Sequence, residues 1–402
     1  MVKRKKLPAK EVDEQEIASD HENSDQERSA SEDDFFETPD EKRVRLAKEY
    51  LQKFDGKTEV QEQLVQDLDE KEGRSRFQVA DFTYGEPHFH RGHKFAATCS
   101  WLTEDDRTLF TGSKDCAILR WDVETGSKDV FHAGGRNRFE CGGHFQSVLG
   151  VCGMESRQMV ITAGADRLLR FWDPRTSGTA CFAKLHGHQG AITSVVADLD
   201  GKHVYTTSTD KTMRQWDVVA RRQTSTLLGH MSGATSLDMA SKGRPVTGGE
   251  DKTVRVWNIE RDTHLIFNKH TYSVDAVAAL DHQKFVSGSQ DGVINVWSST
   301  SKKPLGTASI GNHWVSALSA MKRSNMFFSG STDCFLRSWC LVDNKVELAL
   351  PPLKAPGRIN SISVGRRILA CAVGKEHKFG RWFYEQPLRN GVFFVPISYG
   401  EN

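Results

Sequence analysis

An all-β fold is what this 402-residue sequence predicts: a closed ring of seven four-stranded blades, preceded by a partly disordered, partly helical N-terminal extension. Three observations carry the prediction. An Asp followed six residues later by a Trp recurs at Asp115/Trp121, Asp166/Trp172, Asp210/Trp216, Asp251/Trp257, Asp291/Trp297 and Asp333/Trp339, and a degenerate seventh copy pairs Glu376 with Trp382. Successive repeat tryptophans stand 51, 44, 41, 40, 42 and 43 residues apart, near the ~40–45 residues of a four-stranded repeat unit. A His lies 20 to 22 residues before each of the six Asp positions, at His93, His144, His188, His230, His270 and His313.

This triple is the signature of the WD repeat. Its physical content is an Asp in the tight turn entering the third strand, placed to accept a hydrogen bond from the His that opens the blade. A Ser two residues before the Asp can relay that bond toward the Trp indole. Four blades hold all four members: His93-Ser113-Asp115-Trp121, His188-Ser208-Asp210-Trp216, His270-Ser289-Asp291-Trp297 and His313-Ser331-Asp333-Trp339. Gly164 and Gly249 stand at the Ser position in blades two and four, so their networks are expected to be poorer.

Taken in order, the chain divides into residues 1–37, 38–76 and 77–402. The run Lys3-Arg4-Lys5-Lys6 reads as a nuclear import signal. The acidic, apolar-poor stretch after it cannot bury enough surface to offset its ordering entropy and is expected to be disordered. Thr38-Pro39-Asp40-Glu41 is a capping box with Pro at the first helical position, followed by Val44, Ala47, Leu51 and Phe54 at helical spacing. A helix over about 39–54 follows, with a second over 58–72. From Phe77 the pattern is that of strands. Both FQVADFTY (77–84) and GVFFVPI (391–397) compete for the outermost strand of the last blade, whose filling closes the ring and removes free sheet edges.

The net charge of +1 conceals an asymmetry. Residues 1–37 carry six Lys/Arg against twelve Asp/Glu and residues 38–76 nine against ten, leaving 39 against 31 for the ring. A basic ring of this kind attracts phosphate. The longest gap between repeats holds Gly134-Gly135-Arg136-Asn137-Arg138, and Lys114, Arg136, Arg138 and Arg167, near the turns of blades one and two, are the candidate RNA contacts.

The pattern argues against several other classes. No apolar run approaches the ~20 residues of a membrane span. The eight cysteines contain no CxxC pair, so neither zinc nor a disulfide framework is expected. No phosphate-binding loop, HExxH or GxSxG elbow stands out, and a Ser-His-Asp set repeated in every blade is scaffold rather than a triad. No enzyme activity, cofactor, metal or small-molecule substrate is expected.

Beyond the generic repeat, several stretches resemble one family, the WD-repeat subunit of the U3 small nucleolar ribonucleoprotein. They are FETPDEKRVRLAKEYL (36–51), GHKFAATC and GSKDCAILRWDVETG in blade one, AGADRLLRFWDPRT (163–176), GGEDKTVRVWN, VSGSQDGVINVW and AVGKEHKFGRW (372–382). The resemblance implies a nucleolar, non-catalytic protein that binds the box B/C region of U3 snoRNA with a kink-turn-binding protein. It further implies action in the small-subunit processome during pre-ribosomal RNA processing. The alternative is a nuclear, protein-only WD scaffold or ubiquitin-ligase substrate receptor.

Overall fold

The computed structural model describes residues 82–132, 142–176, 181–321, 324–342, 345–380 and 388–399. The expected import signal, acidic tail and both helices lie outside these residues, as do Arg136 and Arg138. The described chain forms seven antiparallel sheets, five of four strands and two of five, arranged as a β-propeller. Blade one runs Ala97–Leu102, Thr108–Ser113, Ile118–Asp122 and Lys128–His132, from innermost to outermost strand. Burial falls off outward. Thr108–Ser113 is buried along nearly its whole length, as second strands packed between neighbouring blades must be, whereas the outermost strand of blade three, Arg222–Leu228, alternates exposed and half-buried residues.

Blades pack through two devices. Gly112, Gly248, Gly288 and Gly330 sit where a Cβ would collide with Val148, Val277, Val315 or Ile359 of the following blade, which accounts for the Gly three residues before each of these Asp turns. Polar side chains near the start of five innermost strands form a girdle. Thr98, Thr193, Thr235 and Ser316 donate their hydroxyls to Val148 O, Ala234 O, Val274 O and Ile359 O of the next blade. The amide of Asn360 donates to Ala97 O at 2.8 Å, carrying the girdle from blade seven back to blade one.

Both segments that compete for the last blade belong to it. Gly391–Tyr399 is its third strand, paired with Ile368–Gly374, and Phe82–Tyr84 and His88–Arg91 lie along its other side as the outermost strand. The chain's early strands thus hydrogen-bond its last one. The repeat reading of Trp382 is corrected here: the third strand begins after it, and Phe394 fills the tryptophan's place, paired with Ala370 as Trp216 is with Val204. Trp382 itself lies outside the described residues.

Candidate nucleic-acid interface

Antiparallel strand order puts the turns between second and third strands on the same face as the connections between blades. On that face the repeat network fixes each turn, and the relay differs from the expected one. In blade three Trp216 Nε1 donates to Thr206 Oγ1 at 2.8 Å, Thr206 Oγ1 lies 2.8 Å from His188 Nε2, and His188 Nδ1 lies 2.8 Å from Asp210. The Asp contact makes Nδ1–H the donor, so Nε2 accepts from the threonine hydroxyl. The relay is therefore the hydroxyl four residues before the Asp: Thr111, Thr162, Thr206, Thr247, Ser287 and Ser329 each take the indole N–H at 2.7–2.9 Å. Ser113, Ser208, Ser289 and Ser331 instead accept the backbone N–H of Asp115, Asp210, Asp291 and Asp333, tightening the turn. A side chain two residues from the Asp points into the turn, while one four residues away faces the indole on the neighbouring strand.

The expectation of poorer networks in blades two and four is overturned for the same reason. Their glycines cost nothing in the relay: His144 reaches Asp166 at 2.9 Å and Thr162 at 2.7 Å, and His230 reaches Asp251 at 3.0 Å and Thr247 at 2.7 Å. Other blades depart instead. His93 Nδ1 stands 3.7 Å from Asp115, an ion-pair distance rather than a hydrogen bond. In blade five Asp291 takes the Thr271 hydroxyl at 2.7 Å while His270 bonds Ser287 at 2.6 Å. In blade six His313 is exposed, and Asp333 is paired with Arg337 at 2.6 Å. Blade seven has replaced the system altogether, with Ala372 at the relay position beneath Phe394.

Desolvation pushes the buried His144 and His188 down, and His270 down to about 4, so these rings are neutral. Burial acts to raise Asp115, but its close contact with His93 and hydrogen bonds from two backbone N–H groups outweigh it, leaving Asp115 down at about 2. Such rings hold turns together; they are not poised for proton transfer.

The residue after each Asp adopts left-handed backbone: Cys116, Arg167, Lys211, Lys252, Gly292 and Cys334, at φ between 64° and 76°. Three of these are exposed cations in consecutive blades, Arg167, Lys211 and Lys252. They form an arc on the face of these turns. Lys114 does not join it. Its ammonium is largely buried and donates to Glu376 at 3.3 Å and Gly380 O at 3.1 Å.

Those two partners belong to a segment the repeat pattern does not foresee. Residues 375–380, after the second strand of blade seven, cross the mouth of the central channel. Lys378 donates to Asp275 O of blade five at 3.3 Å, His377 packs edge-on against Trp314 of blade six at 5.7 Å, and Asn360 donates to Glu376 O at 3.0 Å. Beneath lies an open space of about 180 Å³ lined by Ser100, Ser194, Ser236, Asp238, Ser319 and Ser361. Burial pushes the Asp275 carboxyl up and the Lys378 amine down, and each charge opposes the other's shift.

Among the described residues one group has metal-ligand spacing, Asp198, Asp200 and His203. Its atoms are already engaged: Tyr205 donates to Asp198 at 3.1 Å, and His203 and the N–H of Lys202 bond Asp200 at 2.5 and 2.7 Å. The described cysteines are free thiols, and no described helix is long and apolar enough to cross a membrane.

A family model described as WD domain, G-beta repeat, matches residues 135–173, 179–217, 221–258 and 262–298. Blades two to five are thus WD repeats. Relatives resemble the chain far beyond those four repeats. The U3 small nucleolar RNA-interacting protein 2 of Homo sapiens is 28% identical over 90% of this chain and 82% of its own length. A U3 snoRNP-associated protein-like chain of Arabidopsis thaliana is 26% identical over 91% of this chain and 87% of its own. The solved structure of U3-55K superposes with a TM-score of 0.72 at 28% identity, covering 79% of this chain and 99% of that one. The resemblance carried by the sequence stretches above is therefore met in both sequence and fold.

Proposed function

We propose that this protein is a non-catalytic subunit of the U3 small nucleolar ribonucleoprotein. In this reading it contacts the box B/C region of U3 snoRNA beside a kink-turn-binding protein and supports small-subunit pre-rRNA processing in the nucleolus, among other processome proteins. The observation that carries the reading is likeness to U3-associated proteins across about nine-tenths of the chain, rather than over the generic repeats alone. The contact falls on the face of the left-handed turns, through Arg167, with Lys211 and Lys252 continuing it, and Arg136 and Arg138, outside the described residues, stay in the proposed set on sequence alone. Cations standing on rigid turns reach phosphates with little ordering cost. Lys114 is withdrawn from that set because Glu376 and Gly380 hold it.

The test is crosslinking of the tagged protein in its own cells followed by sequencing of the attached RNA. Reads concentrated on U3 snoRNA are expected, and a background profile sinks the proposal. One observation favours a second reading, a protein-only scaffold: Phe95, Met231 and Tyr272 stand 45, 77 and 59% exposed beside the repeat histidines, as protein-binding surfaces require. That scaffold would keep its partners after nuclease treatment.

A further inference from the structure

The opposite face of the propeller carries the turns between third and outermost strands. There Arg221 of blade three lies over the ring of Phe182 of blade two, its guanidinium carbon 5.2 Å from the ring centroid. Phe182 is 45% exposed, and Phe171 below it, at 6.2 Å, holds the ring in place. Arg221 is exposed and has φ 50°, where the corresponding turn of blade one has Gly126 at φ 66°. A long L-side chain in that conformation is disfavoured, and the turn itself needs nothing beyond glycine. What the arginine adds is a planar cation stacked on an aromatic ring, open on its outer side. Arg175 and Arg222 are exposed in the adjoining turns of the same two blades.

We infer that Phe182 and Arg221 form a stacking platform for an unpaired RNA base, with Arg175 and Arg222 taking the flanking phosphates. Guanidinium planes and aromatic rings are the surfaces on which splayed-out bases stack. This inference rests on the RNA-binding reading above and adds a second contact, on the face away from the Arg167 arc. A bound RNA would then span the rim of the propeller at blades two and three.

The test uses the tagged full-length chain in its native particle, with ultraviolet crosslinking, mass-spectrometric mapping of nucleotide adducts and measurement of U3 snoRNA recovery. Arg221→Gly removes the platform at a position where glycine is at ease, so its thermal midpoint should equal or exceed that of the parent. Phe182→Leu keeps the contact with Phe171 and loses the ring. Each should lower U3 recovery in competition by roughly ten-fold, the scale of one lost base stack, while Phe182→Tyr should retain it. A nucleotide adduct is expected on the peptide holding Phe182. Full recovery by both variants, with Arg167→Glu reducing it, overturns the platform and leaves the RNA reading standing. A protein adduct at Phe182 in place of a nucleotide overturns it too, and absence of U3 from the parent protein defeats both.

Discussion

Thr206 holds a buried imidazole and a buried indole with one oxygen, and it has a counterpart in four other blades. Thr206→Val keeps the shape and leaves His188 Nε2 and Trp216 N–H without partners, so a loss of about 2–4 kcal/mol is expected. Ser208→Ala, two residues on, removes only the acceptor for the Asp210 N–H and should cost about 1 kcal/mol. Urea denaturation of the two variants checks the order, and equal losses would refute the relay. The same network sets the acid limit of the fold. Because burial holds His144, His188 and His270 below the ordinary imidazole range, the unfolded chain takes up protons first as pH falls. The stability they lend is complete above about pH 6.5 and lost below it, on the order of 3 kcal/mol for His270 alone by pH 4. The urea midpoint should therefore fall steadily between pH 7 and 4.5, and a flat profile over that window would contradict neutral buried rings. The recurrence of His, Asp and Trp was legible from spacing. The relay hydroxyl recurred just as regularly at four residues before each Asp, but strand geometry, not spacing, decides which hydroxyl faces the indole.

The segment 375–380 binds elements that are distant in sequence: blade one through Lys114, blade five through Asp275 and blade six through Trp314. Lys378→Met would remove the hydrogen bond to Asp275 O and leave the buried Asp275 carboxylate without its nearby cation, a loss expected at about 1–3 kcal/mol at pH 7. Protonating Asp275 removes the need for that cation, so the deficit should shrink at lower pH, and Asp275→Asn should rescue the variant in part. Thermal unfolding at pH 8 and pH 5 tests both statements; a pH-independent deficit would mean that lost packing, not charge, is responsible. At this scale blades one to six were legible, since each is bounded by its own Asp turn and Trp. Blade seven was legible only in part. Phe394 and Ala372 stand where the other blades have an indole and a hydroxyl, so no polar motif marks the third strand. The girdle residues were hidden for another reason: Thr98, Thr193, Thr235, Ser316 and Asn360 share a place in the ring but no residue type.

Across the whole molecule, the Lys/Arg excess of 39 against 31 beyond residue 76 predicts a salt dependence for the proposed RNA binding. Reversing Arg167, Lys211 and Lys252 together to Glu should weaken U3 affinity at least ten-fold and flatten the slope of log affinity against log salt by about 2, at roughly 0.7 per phosphate contact. Filter binding from 50 to 300 mM salt measures both, and an unchanged slope would remove the arc from the interface. The closure of the propeller has a consequence in time as well as in space. Phe82–Tyr84 and His88–Arg91 are translated early, yet the strand they pair with, Gly391–Tyr399, is made roughly 300 residues later. At about 5–20 residues per second the ribosome keeps the two apart for some 15–60 seconds. Until then the nascent chain is an open crescent with raw edges at both ends. The interval in which it most needs a chaperone or an early binding partner is therefore set by the rate of its own synthesis.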